Sequence, residues 1–386
     1  MSLQSLASLA IKNRMTIQEC AERLSSFFRS IGIDYVLDIT LARHICLIES
    51  AKELLEKMKN DIKKSSKTPI LSSTCPGFVC YAEKSQGPIL VPALSRIKSP
   101  QQIMGLLVKN RFDLIQNESN EILPESICHI TLMPCYDKKL EASRNDNKLN
   151  ENIPEVDCVI TPIELEKMLE IKTGKAVCLE DFPKTKLNNF GTKFDNDSIV
   201  KSHFGSGSGG YAENLFLHTA KMIHQIYPDN LEWKQIRNAD YLELKLYPKD
   251  SINSDSQELL SFAILNGFRN IQNLVSKFKR KNAQYDYIEV SACPKGCLNG
   301  GAQIRDVPFD KTINSDTTNI EPWQISYEQA NKSYQSLPKT EYSLTDEDIE
   351  NKALYNELRI DKIFEKTFKT EFHIIEKTFN ILNSNW

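Results

Sequence analysis

Two cysteines, Cys293 and Cys297, stand in a glycine-rich turn that directly follows a predicted strand over residues 287–291. The turn reads Ala-Cys-Pro-Lys-Gly-Cys-Leu-Asn-Gly-Gly over residues 292–301. Glycines let the backbone approach a bulky inorganic group closely, and the backbone N–H groups of such a turn can donate hydrogen bonds to sulfur or to other anionic ligands. The alternative is a turn with two inert thiols. The density of cysteine and glycine favours a metal site.

Two more cysteines follow predicted strands. Cys75 comes after a strand over 69–71 and precedes Pro76, which suits the first position of a helix; the positive end of that helix would keep the thiolate ionised. Cys135 comes after a strand over 128–133, and ligands in α/β proteins collect at such strand ends.

Other side chains near these cysteines have ordinary interpretations. Lys138 and Lys139 would stabilise negative charge beside Cys135, or they form a solvated surface pair. Cys80 is predicted to pack as a small apolar residue, and Cys128 and Cys158 are predicted to lie in the core within strands.

The elements that must position these residues alternate between helix and strand, which is typical of an α/β fold with parallel sheets. Helices are predicted from Thr16 and over 41–58, 100–108, 162–171, 212–226 and 268–278. Strands are predicted over 35–39, 69–71, 128–133, 157–161, 241–247, 261–265 and 287–291. We expect a first lobe over 1–172, a second lobe over 173–308 and a helical C-terminal extension over 309–386.

Composition narrows the class of protein. The 386 residues carry a formal charge of −3, which gives no support for nucleic-acid binding, and no apolar run approaches the length that spans a bilayer. Ten widely scattered cysteines, in a sequence without a secretory signal, favour a reducing compartment and either metal ligation or burial.

Three segments resemble, in the same order, the signatures of iron-only hydrogenase catalytic domains. They are Ser-Thr-Cys-Pro-Gly-Phe at 73–78, Met-Pro-Cys-x-x-Lys-Lys at 133–139 and the glycine-rich turn at 292–301. Longer strings, over 75–84, 133–144 and 207–214, resemble a narrower group: the nuclear prelamin A recognition factor-like (Nar) proteins of cytosolic iron–sulfur protein assembly. The resemblance covers residues 1–305 well and the C-terminal tail weakly.

The resemblance implies an iron-only hydrogenase-like fold of two lobes, each a mostly parallel sheet flanked by helices, with the cofactor in the cleft between them. It implies that one 4Fe-4S cluster is ligated by Cys75, Cys135, Cys293 and Cys297. The residues themselves agree, since four thiolates at strand ends and in a glycine turn meet the requirement of such a cluster. A structural zinc site with four cysteines is the metal alternative.

Two departures from the resemblance bear on function. Hydrogenases carry a proton-transfer cysteine where this chain has Thr74, and Lys295 and Ala302 replace glycines near the cluster, so the sequence fits an assembly factor better than an enzyme. Nar proteins also carry a further cysteine-rich cluster segment. No C-x-x-C-x-x-C occurs here, so that second, N-terminal cluster site is lost, truncated or missing from this sequence.

The resemblance therefore implies a component of the cytosolic iron–sulfur assembly machinery that binds a 4Fe-4S cluster and passes it to apoproteins in the cytoplasm and nucleus. Its partners would be the propeller-type subunit of the targeting complex and apoprotein clients, with no nucleic acid or membrane. Trp386 would be a docking residue for that subunit, or an ordinary packed tail residue. An iron-only hydrogenase or hydrogen sensor, and a nuclear partner-binding protein with a structural metal, are the alternatives.

Overall fold

The computed structural model describes residues 1–61, 68–116, 122–174, 179–191, 198–206, 209–248, 258–305, 321–340, 353–360 and 362–375. Its helices are α1 (Leu3–Lys12), α2 (Ile17–Ser30), α3 (Thr40–Asp61), α4 (Pro76–Ser85), α5 (Gly87–Leu90), α6 (Pro100–Asn110), α7 (Asp113–Gln116), α8 (Asp137–Ala142), α9 (Pro162–Thr173), α10 (Tyr211–His224), α11 (Phe268–Lys279), α12 (Pro322–Gln335), α13 (Ala353–Glu357) and α14 (Lys362–Thr367). Its strands are β1 (Ile70–Leu71), β2 (Ile130–Leu132), β3 (Lys148–Asn150), β4 (Ile153–Pro154), β5 (Cys158–Ile160), β6 (Lys234–Gln235), β7 (Tyr241–Leu246), β8 (Leu260–Asn266) and β9 (Tyr287–Ser291).

A five-stranded mixed sheet in the order β1-β9-β8-β7-β6 forms the centre of the fold. Strands β1, β9 and β8 run parallel, and β7 and β6 add antiparallel pairs. All residues of β9 are buried, because helices cover both faces of a strand in the middle of such a sheet. A second, two-stranded sheet pairs β2 with β5 in parallel, and β3 pairs with β4 in an antiparallel hairpin.

The helices begin where local chemistry predicts. Thr16 caps α2 by accepting a hydrogen bond from the backbone of Glu19, and Thr161 and Glu164 form a reciprocal capping box at the start of α9. Gly174 ends α9 in the left-handed conformation that glycine adopts most readily. The predicted helices are thus confirmed, with ends that differ by a few residues.

One predicted strand is wrong: residues 35–39 are irregular and have no ladder partner among the described residues. The other predicted strands are present, several of them shorter than expected. The α/β class with parallel strand pairs is confirmed. The division into two lobes and an extension stays a prediction. Strand β1, which falls in the predicted first lobe, pairs with β9 of the predicted second lobe.

The C-terminal part of the chain packs on the N-terminal helices. Tyr334 and Ala330 of α12 are buried in one apolar cluster with Leu3 and Leu6 of α1. Within the described residues, no helix combines the length and hydrophobicity needed to cross a membrane. Trp386 and the predicted helix start at 343–347 lie outside the described residues.

Candidate metal centre

Neighbouring parallel strands bring Cys75 and Cys293 to the same edge of the central sheet. Strand β1 pairs in parallel with β9, with Leu71 opposite Ile288, and each cysteine follows its strand by a few residues. The backbone N–H of Ala292 donates a hydrogen bond to Cys75 Sγ over 3.3 Å. The two cysteines were expected to come from different lobes, but they lie at the ends of adjacent strands of one sheet.

The turn that carries Cys297 also contacts the segment that carries Cys135. The backbone N–H of Ala302 donates to the carbonyl oxygen of Pro134 over 3.1 Å. A Cβ atom on Gly300 would overlap that same carbonyl group, so the close approach of the two backbones requires glycine there. Cys135 follows β2 of the two-stranded sheet, and the site therefore lies between the two sheets.

Lys138 joins the Cys135 segment to the Cys75 segment. Its Nζ donates to the carbonyl oxygen of Thr74 and to Ser99 Oγ, each over 3.1 Å, and forms a 2.5 Å ion pair with Glu141. Burial works to lower the pKa of Lys138, but the carboxylate of Glu141 and the nearby thiolates outweigh it and raise that pKa. The lysine is therefore a fixed, buried positive charge beside the cysteines.

The tight contact between α4 and α8 brings the same two segments together. A Cβ atom on Gly77 would lie 2.6 Å from Asp137 Oδ2, so the second helical position of α4 also has little room for a side chain. Together with the contacts of Ala292, Ala302 and Lys138, this places all three cysteine-bearing segments in direct contact.

Burial raises the pKa of each of the four thiols, to about 12 for Cys135 and about 11 for Cys293. The pKa of Cys297 is raised further by the other three cysteines. The expectation that the end of helix α4 keeps the Cys75 thiolate ionised for a metal stays a prediction. Burial outweighs the hydrogen bonds from the N–H groups of Ala292 and Phe78.

Cys297 therefore lies within electrostatic range of each of the other three thiols. Among the described histidine, cysteine, aspartate and glutamate side chains, no three converge as the ligands of a single metal ion would. A four-cysteine donor set of this kind suits an iron–sulfur cluster.

Some predictions about neighbouring residues need correction. Cys128 and Cys158 are exposed, not in the core, because Cys128 precedes the short strand β2 and Cys158 is the first residue of β5. Lys138 is buried, whereas Lys139 is partly exposed and pairs with Glu164. Ser99 and Glu141, which hold Lys138, were not predicted. Glu141 could have been predicted, because it lies three residues after Lys138 on a helix, and side chains at that spacing form ion pairs.

A model of the family "iron only hydrogenase large subunit, C-terminal domain" matches residues 2–301. The chain is 38% identical over 390 residues to "Cytosolic Fe-S cluster assembly factor narfl" of Danio rerio, covering 100% of this chain and 88% of that protein. The chain belongs to the Nar family of iron-only hydrogenase-like proteins.

Other members of the Nar family are longer than the stretch they share with this chain. The narfl protein of Xenopus tropicalis is 42% identical over 306 residues, and "Cytosolic iron-sulfur assembly component 3" of Mus musculus is 42% identical over 305 residues. Each alignment covers 79% of this chain and 61% of the relative.

Solved structures with the same fold are FeFe-hydrogenases. A variant of HydA1 from Chlamydomonas reinhardtii matches with a TM-score of 0.75 at 20% identity, covering 97% of this chain and 92% of that one. A structure concerned with oxygen inactivation of FeFe-hydrogenase matches with a TM-score of 0.73, also at 20% identity, covering 97% of this chain and 93% of the other. The hydrogenase-like fold expected for a Nar protein is therefore confirmed.

Proposed function

We propose that this Nar protein is a component of the cytosolic iron–sulfur assembly machinery, and that it holds one 4Fe-4S cluster on Cys75, Cys135, Cys293 and Cys297. The observation that supports the proposal is the direct contact of the three separate segments that carry these four cysteines.

A 4Fe-4S cluster bound there would supply iron and sulfide, and the chain's own residues would hold the cluster. Lys138 offsets the negative charge of four thiolates at a buried position, and the N–H groups of Ala292 and Phe78 already donate to Cys75 Sγ. Zinc is the weaker alternative, because two of the thiols come singly from distant segments, whereas zinc sites are usually built from closely spaced pairs of ligands.

The cluster would serve assembly, with the protein passing clusters to apoproteins in the cytoplasm and the nucleus. The relatives from fish and mouse are named as cytosolic assembly proteins, which supports this role. The partners would be apoprotein clients and the propeller-type subunit of the targeting complex, with Trp386 as a docking residue.

We propose that the protein is not a hydrogenase, in spite of the fold. Thr74 occupies the position of the proton-transfer cysteine, and its Oγ1 lies 3.2 Å from Ser72 Oγ in a hydroxyl pair. The pKa of a hydroxyl is far above that of a thiol, so Thr74 is a poor proton relay. No hydrogen evolution from a reduced dye is expected, even after expression together with hydrogenase maturation proteins.

The test is the iron and sulfide content of anaerobically purified protein, with absorption and electron paramagnetic resonance spectra. We expect a brown protein with about four irons and four sulfides per chain. Alanine variants of Cys135 and of Cys293 should lose the colour and most of the iron.

Alanine variants of Cys80, Cys128 and Cys158 are the matched controls, since these thiols lie outside the contacts described above, and they should keep the iron. One tightly bound zinc in a colourless protein, or bleaching by the control variants, would contradict the cluster assignment.

A further inference from the structure

Two helices that follow cysteines of the metal centre are joined to each other at both of their ends. Helix α4 begins directly after Cys75, and α8 begins two residues after Cys135. Their first turns meet in the close contact of Gly77 with Asp137. A second contact joins the far ends of the same two helices.

The contact at the far ends is a buried ion pair of Glu83 with Arg144. Arg144 donates through Nη1 to Glu83 Oε2 over 2.8 Å and through Nη2 to Glu83 Oε1 over 2.7 Å. The Glu83 side chain is only 4% exposed. A guanidinium and a carboxylate that share two parallel hydrogen bonds have a fixed relative orientation. Because Glu83 lies near the end of α4 and Arg144 follows α8, the pair holds these two helix ends together.

Residues 368–375, which we call the strap, lie across this ion pair. The backbone N–H of His373 donates to Glu83 Oε1 over 2.9 Å. Arg144 Nη2 also donates to the carbonyl oxygen of Glu371 over 3.2 Å. The backbone of the strap therefore binds both members of the ion pair.

The other end of the strap pairs with residues 96–98. The N–H of Lys98 donates to Phe368 O over 2.8 Å, and the N–H of Thr370 donates to Arg96 O over 2.7 Å, in an antiparallel arrangement. Phe368 is fully buried, so this end of the strap is anchored in the core.

The residues that flank this paired segment support the metal centre. Ser95 O accepts a 2.6 Å hydrogen bond from Ser73 Oγ, just ahead of α4. Ser99 Oγ accepts from Lys138 Nζ of α8 over 3.1 Å. The strap is thus connected to the surroundings of both helices at each of its ends.

The outer half of the strap lies at the surface. Four of the five residues at 371–375 are exposed. The side chain of His373, which pairs with Asp146, is 58% exposed, and such pairs add little to stability. Exposed segments with few buried contacts open locally at a lower free energy than the core. This half of the strap can therefore detach while the rest of the chain stays folded.

We propose that Glu83 is a positioning residue of the metal centre and that the strap controls it. With the strap bound, Glu83 and Arg144 hold α4 against α8, and this fixes Cys75 relative to Cys135. When the strap detaches, the carboxylate loses a donor and the guanidinium loses an acceptor, so the two helices separate more readily and their thiols become accessible. The inference rests on the proposed function only for its second consequence, which is that a bound cluster then leaves faster.

The test detaches the strap in the full chain with the double variant Thr370→Pro, His373→Pro. Proline lacks the backbone N–H, so the variant removes the two strap donors described above and changes neither member of the ion pair. Glu371→Pro is the matched control, because the N–H of that residue has no acceptor among the described residues. Hydrogen exchange of the strap should be faster in the double variant than in the control.

Access to the thiols is measured by alkylation with N-ethylmaleimide after a chelator has removed any metal, with mass spectrometry of each cysteine. Cys75 and Cys135 should react about tenfold faster or more in the double variant, because their local opening is more populated, and at the parent rate in Glu371→Pro. Cys20 is fully buried in α2 and should stay slow in every chain, which shows that the fold is intact.

Glu83→Gln separates the effect of the ion pair from that of the strap. Its amide oxygen can still accept from His373 N–H, but the neutral side chain holds Arg144 weakly. We expect faster alkylation of Cys75 and Cys135 with unchanged hydrogen exchange in the strap.

Iron release to a chelator from anaerobically loaded protein measures the second consequence. The double variant should start with the iron content of the parent chain and lose it about tenfold faster. A parent chain that binds no iron would contradict the proposed function and leave the alkylation result standing. The inference is overturned if Cys75 and Cys135 keep their rates when the strap detaches, if Cys20 accelerates equally, or if the double variant leaves the strap protected.

Discussion

The backbone N–H of Ala302 donates a 3.1 Å hydrogen bond to the carbonyl oxygen of Pro134, which links the segment after Cys297 to the residue before Cys135. Gly300 packs against the same carbonyl group. A backbone contact therefore helps to set the separation of Cys135 from Cys297. A substitution that moves these two backbone segments apart should weaken the binding of a cluster by Cys135 and Cys297.

Gly300→Ala is expected to destabilise the protein and to lower its iron content. The added Cβ would overlap Pro134 C=O, and relieving such an overlap costs about 1–3 kcal/mol. The movement would carry Cys135 away from Cys297. Chemical denaturation under anaerobic conditions, with iron measured on the same sample, checks both effects.

Gly301→Ala is the matched control, because no atom lies within 4 Å of the added Cβ. It should keep the iron and change the free energy of unfolding by about 1 kcal/mol or less. Equal loss of iron from the two variants would show that the contact with Pro134 is not what positions the thiols.

Lys138→Met is expected to cost about 3–5 kcal/mol, because it leaves Glu141 buried without its partner. The variant also removes the hydrogen bonds to Thr74 and Ser99, so the segments of Cys75 and Cys135 should separate. Thermal unfolding measures the first effect and iron content the second.

A variant of the neighbouring Lys139 is the control for Lys138→Met. Lys139 is about 40% exposed in its ion pair with Glu164, so Lys139→Met should cost about 1 kcal/mol or less. Similar losses from the two variants would contradict the different burial of the two lysines.

The strands that precede Cys75, Cys135 and Cys293 could be predicted from the sequence, but which strands are neighbours could not. Cys75 and Cys293 are separated by more than half of the chain, and yet they follow adjacent parallel strands. Strand order depends on how helices of the whole chain pack, and local patterns carry no information about it.

The errors at Cys128 and Cys158 and at residues 35–39 have a related cause. An apolar run predicts that a segment can form a strand, but it does not tell whether a partner strand is there or where the strand ends. Strand β2 spans Ile130–Leu132, so Cys128 falls outside it and is exposed. Among the described residues, no strand pairs with residues 35–39.

Stability should fall as the pH rises above the ordinary pKa of a glutamate, because Glu213 and Glu289 are both buried. Burial raises the pKa of both carboxyls, and the neighbouring Glu289 raises the pKa of Glu213 further. In that pH range the folded chain holds protons that the unfolded chain has released, so the slope of stability against pH is negative. Each unit of raised pKa corresponds to about 1.4 kcal/mol.

Glu213→Gln should flatten this slope, since a glutamine side chain is neutral at every pH and its amide oxygen can still accept from Ser206 N–H. The double variant with Glu289→Gln should flatten it more. Denaturation midpoints between about pH 5 and about pH 8 measure the slope. Glu180→Gln, at an exposed position, is the control and should leave the slope unchanged. A slope that persists in the double variant would show that other groups cause it.

Lys295→Gly is expected to leave the iron content unchanged and to raise the free energy of unfolding by up to about 1 kcal/mol. Lys295 has a φ of 61°, a left-handed conformation that is costly for a residue with a Cβ, and its N–H donates to Asp240 Oδ1 over 2.7 Å. Glycine removes the strain and keeps the hydrogen bond, although the greater entropy of the unfolded glycine chain offsets part of the gain. Lys295→Ala keeps the strain, so it should not be stabilised. If chemical denaturation finds the glycine variant less stable than the alanine variant, the conformation at this position is not a source of strain.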